Sequence, residues 1–212
     1  QRARDYARAR RQGTDIGSRS RDQVAIIHHP DVRRMLLQMK SRTEALRAVA
    51  CVVAAASELA HGHRDEAVRR ENQAFVDLMI PVVKGWSTES AVLVTSLGVQ
   101  IHGGMGYIEE TGAAQHLRDA RITPIYEGTT GIQAADLVGR KIARDGGQAI
   151  GAVLRQMGTV RVQLAESDDV NLEAIAQRLQ AAISALRDAV DFVVTKQGSD
   201  APLAAAGAVP LL

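Results

Sequence analysis

Glu127 stands in the stretch Tyr126-Glu127-Gly128-Thr129-Thr130-Gly131-Ile132-Gln133, a single carboxylate among small and apolar neighbours just ahead of a helix start. A carboxylate in such a place can take a proton from a bound substrate, because little around it competes for its lone pairs and a glycine beside it leaves room for a reactant. Thr129 is the expected N-cap, its hydroxyl accepting a first-turn N–H. Ile132, Leu137 and Val138 then give an apolar face, with Arg140, Lys141 and Arg144 towards the C-terminal end, where the helix dipole favours cations. Capping and the macrodipole by themselves also account for an acidic residue here. The chemistry therefore needs support from elsewhere in the chain.

Upstream lies Gln100-Ile101-His102-Gly103-Gly104-Met105-Gly106-Tyr107, followed by Leu117-Arg118-Asp119-Ala120-Arg121-Ile122. Glycines without Cβ atoms let a backbone approach a phosphate or an adenine closely and expose N–H donors to an anion, although a plain helix-ending turn uses them too. The pattern is neither a P-loop nor a dinucleotide-binding fingerprint. At the amino end, Tyr6-Ala7-Arg8-Ala9-Arg10-Arg11-Gln12-Gly13 crowds three guanidinium forks together, each able to bind an anion by bidentate hydrogen bonding.

These motifs must be carried by helices. Aromatic residues make up 3% of the 212, so the core has to come from Ala, Leu, Val and Ile, which suits closely approaching helices. The expected fold class is all-α, an antiparallel helical bundle over residues 1–146 with an extra helical hairpin in 147–212. A helix ends near Arg11 with Gly13 as its stop, and residues 12–22 form a polar connection. A long helix starts at Asp31 as N-cap and runs towards His61. A second begins near Asp65 or Glu66, with Pro81 kinking or dividing it. A third spans 129 to about 144, and the bundle ends at Asp145-Gly146-Gly147. Residues 148–165 and 171–195 then read as two amphipathic helices joined by the acidic turn Glu166-Ser167-Asp168-Asp169. The Ala-rich stretch from Ala201 to Leu212 has no clear stop, and the opening on Gln1 inside a helix reads as part of a longer polypeptide.

Residues 1–50 hold twelve basic against five acidic side chains, a balance of +7, whereas residues 141–212 hold seven against eight, or −1. The basic quarter suits nucleotide phosphates, while the distribution as a whole argues against nucleic acid as a partner. Cys51 is the single cysteine and lies in an apolar helix, where a buried inert thiol is expected. It leaves no disulfide framework and points to a reducing, cytoplasmic setting. No run reads as long enough in apolar residues to span a bilayer. The six histidines offer no helical pair with a carboxylate at metal-ligand spacing, so no metal is expected.

In order and spacing, the Gly-rich motif, the Leu117–Ile122 segment and the Glu127 turn resemble the C-terminal domain of the acyl-CoA dehydrogenases over about residues 96 to 144, and the amino-terminal arginine segment extends the likeness to nearly three quarters of the chain. The resemblance implies an FAD-dependent α,β-dehydrogenation of an acyl-CoA thioester in fatty acid metabolism. Glu127 would be the catalytic base and Gly128 would lie against the thioester. Arg10, Gln100, Gly103, Gly104 and Thr129 would contact FAD, with Gln100 and Gly104 reaching a cofactor held mainly by a neighbouring subunit. It also implies a homodimer or homotetramer, with electron-transfer flavoprotein as acceptor. The helices after 147 are similar to the long subgroup with a C-terminal extension, the 3-methylmercaptopropionyl-CoA dehydrogenase type. The chain departs from the family pattern at Gln12 in place of an aromatic, at Gly131 in place of a glutamine, and at His29-Pro30 in place of His-Gln. An acyl-CoA oxidase, a noncatalytic subunit or a nucleic-acid-associated flavoprotein of the same superfamily are the rival readings.

Overall fold

The computed structural model describes residues 1–212, and the chain is helical without a β-strand, as the composition requires. Ten helices follow in order: α1 (Arg2–Ala9), α2 (Pro30–Gly62), α3 (Glu66–His102), α4 (Gly104–Tyr107), α5 (Ala113–Arg121), α6 (Thr130–Asp136), α7 (Gln148–Ala165), α8 (Val170–Gln197), α9 (Ala201–Ala206) and α10 (Ala208–Leu211). They distribute into two compact units. One contains Gln1–Ala50 and Trp86–Glu127, the other Cys51–Gly85 and Gly128–Leu212.

In the first unit α1 is seated by Ala3 and Ala7 against Ile26, Met35 and Ile101. Small side chains at 3 and 7, one turn apart, let the helix backbone approach its neighbours closely. Arg10 ends α1 in an extended conformation, three residues before the expected stop at Gly13. The polar connection that follows is pinned at both ends, since Gln12 N–H donates to the Val24 carbonyl at 2.9 Å and Val24 N–H to the Gly13 carbonyl at 3.0 Å. Asp31 is not the cap of α2. Pro30 already occupies the first turn, where its missing N–H costs nothing, and Asp31 inside that turn pairs with Arg34 at 2.8 Å. Further along the unit, Arg42 of α2 donates at 3.0 Å to the hydroxyl of buried Ser90 on α3.

Pro81 divides nothing: α3 is one helix of 37 residues that contains it, and the ring is buried. Asp65 caps its start by accepting Ala67 N–H at 2.8 Å. Cys51 overturns the expectation of a buried thiol. It is exposed, like Val52 beside it at 56%, because that part of α2 shows an apolar face that no other segment of this chain covers. By length and composition α2 is long and apolar enough to cross a membrane, with a mean hydropathy of 1.3 over its best window, a feature it shares with core helices of soluble bundles. Arginines and a lysine at 33, 34, 40, 42 and 47 keep its first half polar, which is why a search for an uninterrupted apolar run passes over it.

The core of the second unit gathers Leu78, Ala134, Leu137, Val138, Ile142, Ile150, Val190, Val193 and Ala208. The long helix expected over 129–144 is corrected here. It is α-helical only to Asp136, and Leu137–Ile142 form a π-helical turn in which Ala143 N–H donates five residues back to the Val138 carbonyl at 3.0 Å. Leu137, Val138 and Ile142 within this turn are all at most 2% exposed. Burying each such side chain is worth roughly 1.5–3 kcal/mol. The hairpin of α7 and α8 forms as expected, with Asp169 accepting Asn171 N–H at 2.8 Å. Ala201–Leu212 folds into α9 and α10, and Leu212 packs directly on Gly85.

Asp145 and Gly147 mark the start of α7. The two Asp145 carboxylate oxygens accept Gly147 N–H at 2.8 Å and Ala149 N–H at 2.9 Å. Asp145→Ala leaves these donors without the carboxylate and is expected to cost about 1 kcal/mol, the typical worth of a lost cap, read as a lowered midpoint in thermal or urea denaturation. An unchanged midpoint would show that water replaces the carboxylate at no cost.

Candidate functional site

The turn before α6 carries the chain's least ordinary backbone. Glu127 has φ +51, the one non-glycine residue in the left-handed region, and Gly128 follows with φ +92. For an L-residue with a Cβ that conformation costs roughly 1–2 kcal/mol. Nothing in the chain repays it through the side chain: Glu127 is exposed, and its carboxylate makes no hydrogen bond or ion pair. The strain aims a free carboxylate outward from a short turn. Thr129 closes the turn as predicted, its hydroxyl oxygen accepting Ile132 N–H at 3.2 Å, which leaves its own O–H free to donate. Gly128 is favoured by its φ, and the space where a Cβ would stand is approached only by the tip of the flexible Gln133 side chain.

The three glycines after α3 are present for three different reasons. Gly103 adopts φ 59 and ψ −140, a region that only glycine enters readily. Gly106 is buried under the end of α3, where a Cβ would overlap the Val99 carbonyl oxygen and lie 2.9 Å from the His102 Cβ. Gly104 has neither reason. Its φ is not positive, and a Cβ on it would meet no atom of the chain within 4 Å. Gln100 and Gly104 are both exposed, so this turn presents a bare backbone to whatever approaches from outside.

Tyr6 and His102 join the arginine segment to the glycine turn. Their rings meet at 4.4 Å between centroids, and the His102 ring is held by a 2.7 Å hydrogen bond between Nδ1 and the Gly98 carbonyl. Tyr6 lies one turn before Arg10, and His102 immediately precedes Gly103. Two of the sequence-predicted groups, Arg10 and Gln100-Gly103-Gly104, are therefore carried by elements that this stack clamps together. Glu127, Gly128 and Thr129 form a further group, local to the turn into α6. Sequence reading did not single out the stack, although an aromatic-poor chain with a tyrosine beside its arginines offered the signal.

The structure also separates the arginines. Arg11 donates to the Gln23 carbonyl and so fastens the polar connection, whereas Arg10 and Arg8 are exposed and unpaired. Arg118, in the Leu117–Ile122 motif, binds Glu109 at 2.6 Å. That hydrogen bond, more than any other influence, holds the guanidinium above its ordinary value. Three further histidines are tied to backbone: His29 Nε2–H donates to the Gln12 carbonyl at 2.7 Å, His61 pairs with the Ser57 carbonyl at 2.7 Å, and His63 Nδ1 accepts Asp65 N–H at 3.1 Å.

Residues 2–142 match the family described as acyl-CoA dehydrogenase, C-terminal domain. A 3-methylmercaptopropionyl-CoA dehydrogenase of Ruegeria pomeroyi is 48% identical over 212 residues, which is 100% of this chain and 36% of that protein. A broad-specificity linear acyl-CoA dehydrogenase, FadE5, of Mycobacterium tuberculosis is 40% identical over 163 residues, covering 73% of this chain and 26% of that one. Among solved structures, one titled "Bd2924 apo-form" superposes with a TM-score of 0.60 over 92% of this chain and 37% of its own, at 21% identity, a likeness of fold. The chain thus spans about a third of the first of these relatives and about a quarter of the second.

Proposed function

The chain belongs to the acyl-CoA dehydrogenases, as their C-terminal helical domain, and on that footing we propose that Glu127 is the base that takes the α-proton of an acyl-CoA thioester in the complete enzyme. The observation that carries the reading is the strained, exposed and unpartnered carboxylate at φ +51, since strain without an internal return marks residues held for a reaction. The Glu127 N–H donates to no carbonyl of the chain, which suits it to steady negative charge developing on the thioester oxygen. Gly128 keeps the space beside that oxygen clear of a side chain.

The residues present fit FAD. Arg10 offers an unpaired guanidinium for the pyrophosphate, Gly103 and Gly104 an open stretch of backbone, Gln100 an exposed amide, and Thr129 a free hydroxyl donor. When bound, FAD supplies the acceptor for the hydride that leaves the β-carbon. Glu127 gains the proton, and its position on a capped turn keeps the carboxylate from retreating along the chain.

Residues 1–146 serve in this reading as the dehydrogenase bundle and 147–212 as the C-terminal extension. The exposed Gln100 and Gly104 leave a surface for the cofactor of a second copy, so the assembly is a homodimer or homotetramer. Electrons pass on to electron-transfer flavoprotein, and the setting is the cytoplasm.

Flavin retention tests the cofactor assignment. Arg10→Ala removes a bidentate donor, and Gly104→Val adds a side chain for which this chain has room but an approaching cofactor does not. Each is expected to weaken FAD binding by at least about tenfold in the full-length enzyme, measured as flavin absorbance retained through gel filtration. Full flavin content and affinity in both variants would remove the assignment.

A further inference from the structure

In the second unit, α7 and α8 enclose a notch of about 360 Å³. Its floor is apolar, made by buried Leu154 and Ile183, and its walls carry Arg155 and Arg161 from α7 and Arg187 from α8. No acidic residue occurs anywhere in α7, so the two arginines that face the notch are its only charges. Glu173, Asp188 and Asp191 lie on α8 but do not line the notch, and none of the three guanidiniums forms an ion pair.

Three guanidiniums line one hollow, and no carboxylate of the chain pairs with any of them. One donor is in a worse position still: Arg161 Nε is buried from solvent and has no acceptor. A buried unpaired N–H costs roughly 1–3 kcal/mol, more when the group is charged. Gly151 and Gly158, two turns apart on α7, make the room. A Cβ on Gly158 would meet nothing within 4 Å, and one on Gly151 would lie 3.7 Å from the Arg155 Nη1. Space without a side chain, an apolar floor and three forked donors with no acid are the makings of an anion site.

We propose that the α7–α8 notch binds a phosphate group, held between the guanidiniums of Arg155, Arg161 and Arg187. A tetrahedral oxyanion offers acceptors in several directions at once, which three separate guanidiniums can satisfy and a single carboxylate cannot. The notch admits either free phosphate or a phosphate monoester. It is independent of Glu127 chemistry, and binding rather than turnover reports on it.

The test uses the full-length holoenzyme, titrated separately with inorganic phosphate and with adenosine 3′-monophosphate, followed by calorimetry and by the thermal midpoint. Saturable binding is expected, weakened at least about tenfold in the double variant Arg161→Gln/Arg187→Gln, since charge-assisted hydrogen bonds are being removed. Gly158→Glu places a carboxylate of the protein's own in the notch. It is expected to raise the midpoint in phosphate-free buffer and to abolish the same binding component, while Gly158→Ala leaves that component intact. If inorganic phosphate alone binds, the site takes the free ion; if the nucleotide binds more tightly, it takes a monoester. The proposal falls if wild type shows no saturable component with either probe, or if that component survives Gly158→Glu. The second variant decides even where the double variant fails to fold.

Discussion

Glu127→Gln is expected to slow flavin reduction by acyl-CoA about 10² to 10⁴-fold while leaving FAD and ligand binding nearly unchanged, the scale on which a positioned general base acts. The substitution keeps the volume, the left-handed backbone and the exposed position of residue 127, and removes only the ability to hold a proton. Glu127→Asp should retain more rate, because the carboxylate is kept but drawn back by one methylene. Glu127→Gly separates chemistry from strain. It should be as slow as the glutamine variant yet gain about 0–1 kcal/mol of stability, the left-handed penalty of roughly 1–2 kcal/mol being partly offset by glycine's extra freedom when unfolded. Anaerobic stopped-flow bleaching with a panel of acyl-CoA thioesters reads the rate, and urea denaturation reads the stability. Wild-type rates of flavin reduction in Glu127→Gln would place the base on another residue.

The second large effect falls on a glycine that carries no chemistry. Gly106→Ala is expected to destabilise the protein by about 2–4 kcal/mol, because its Cβ has no space between the Val99 carbonyl and the His102 Cβ, and a helix end cannot shift as a flexible side chain can. Gly106 N–H also donates to the Gly103 carbonyl at 2.8 Å, so moving residue 106 disturbs Gly103 and Gly104 and flavin content should fall with stability. Gly104→Ala is the matched control: a methyl there touches nothing in the chain, and stability should stay within about 0.5 kcal/mol of wild type. Equal midpoints for Gly106→Ala and wild type would mean that the end of α3 yields where packing says it cannot.

Several features were legible without coordinates because they depend on neighbours a few residues away. The Thr129 cap needs only a hydroxyl three residues before Ile132. Helices α7 and α8 follow from the spacing of apolar residues and the acidic turn between them. The match of residues 2–142 to the family agrees with the order of the glycine, arginine and glutamate motifs. Asp31 departs from the expected cap for an equally local reason, since Pro30 takes the first helical position and places the aspartate inside the helix.

Residue types and their short-range spacing determine that this chain is all helix, that it shares the dehydrogenase motifs, and that Glu127 stands at a turn. Tertiary structure alone decides the rest. It holds Glu127 in the left-handed region, gives Gly103, Gly104 and Gly106 their different burdens, ties Arg11 to Gln23 while leaving Arg10 free, and turns Leu137–Ile142 into a π-helical register. It also exposes Cys51 and brings Arg187 to the notch that Arg155 and Arg161 line. The physical reason is common to all of these. A cap or an amphipathic face is set by energies between residues within one or two turns, whereas burial, strain and the meeting of charges depend on which distant segment packs opposite, and that partner is absent from any local window.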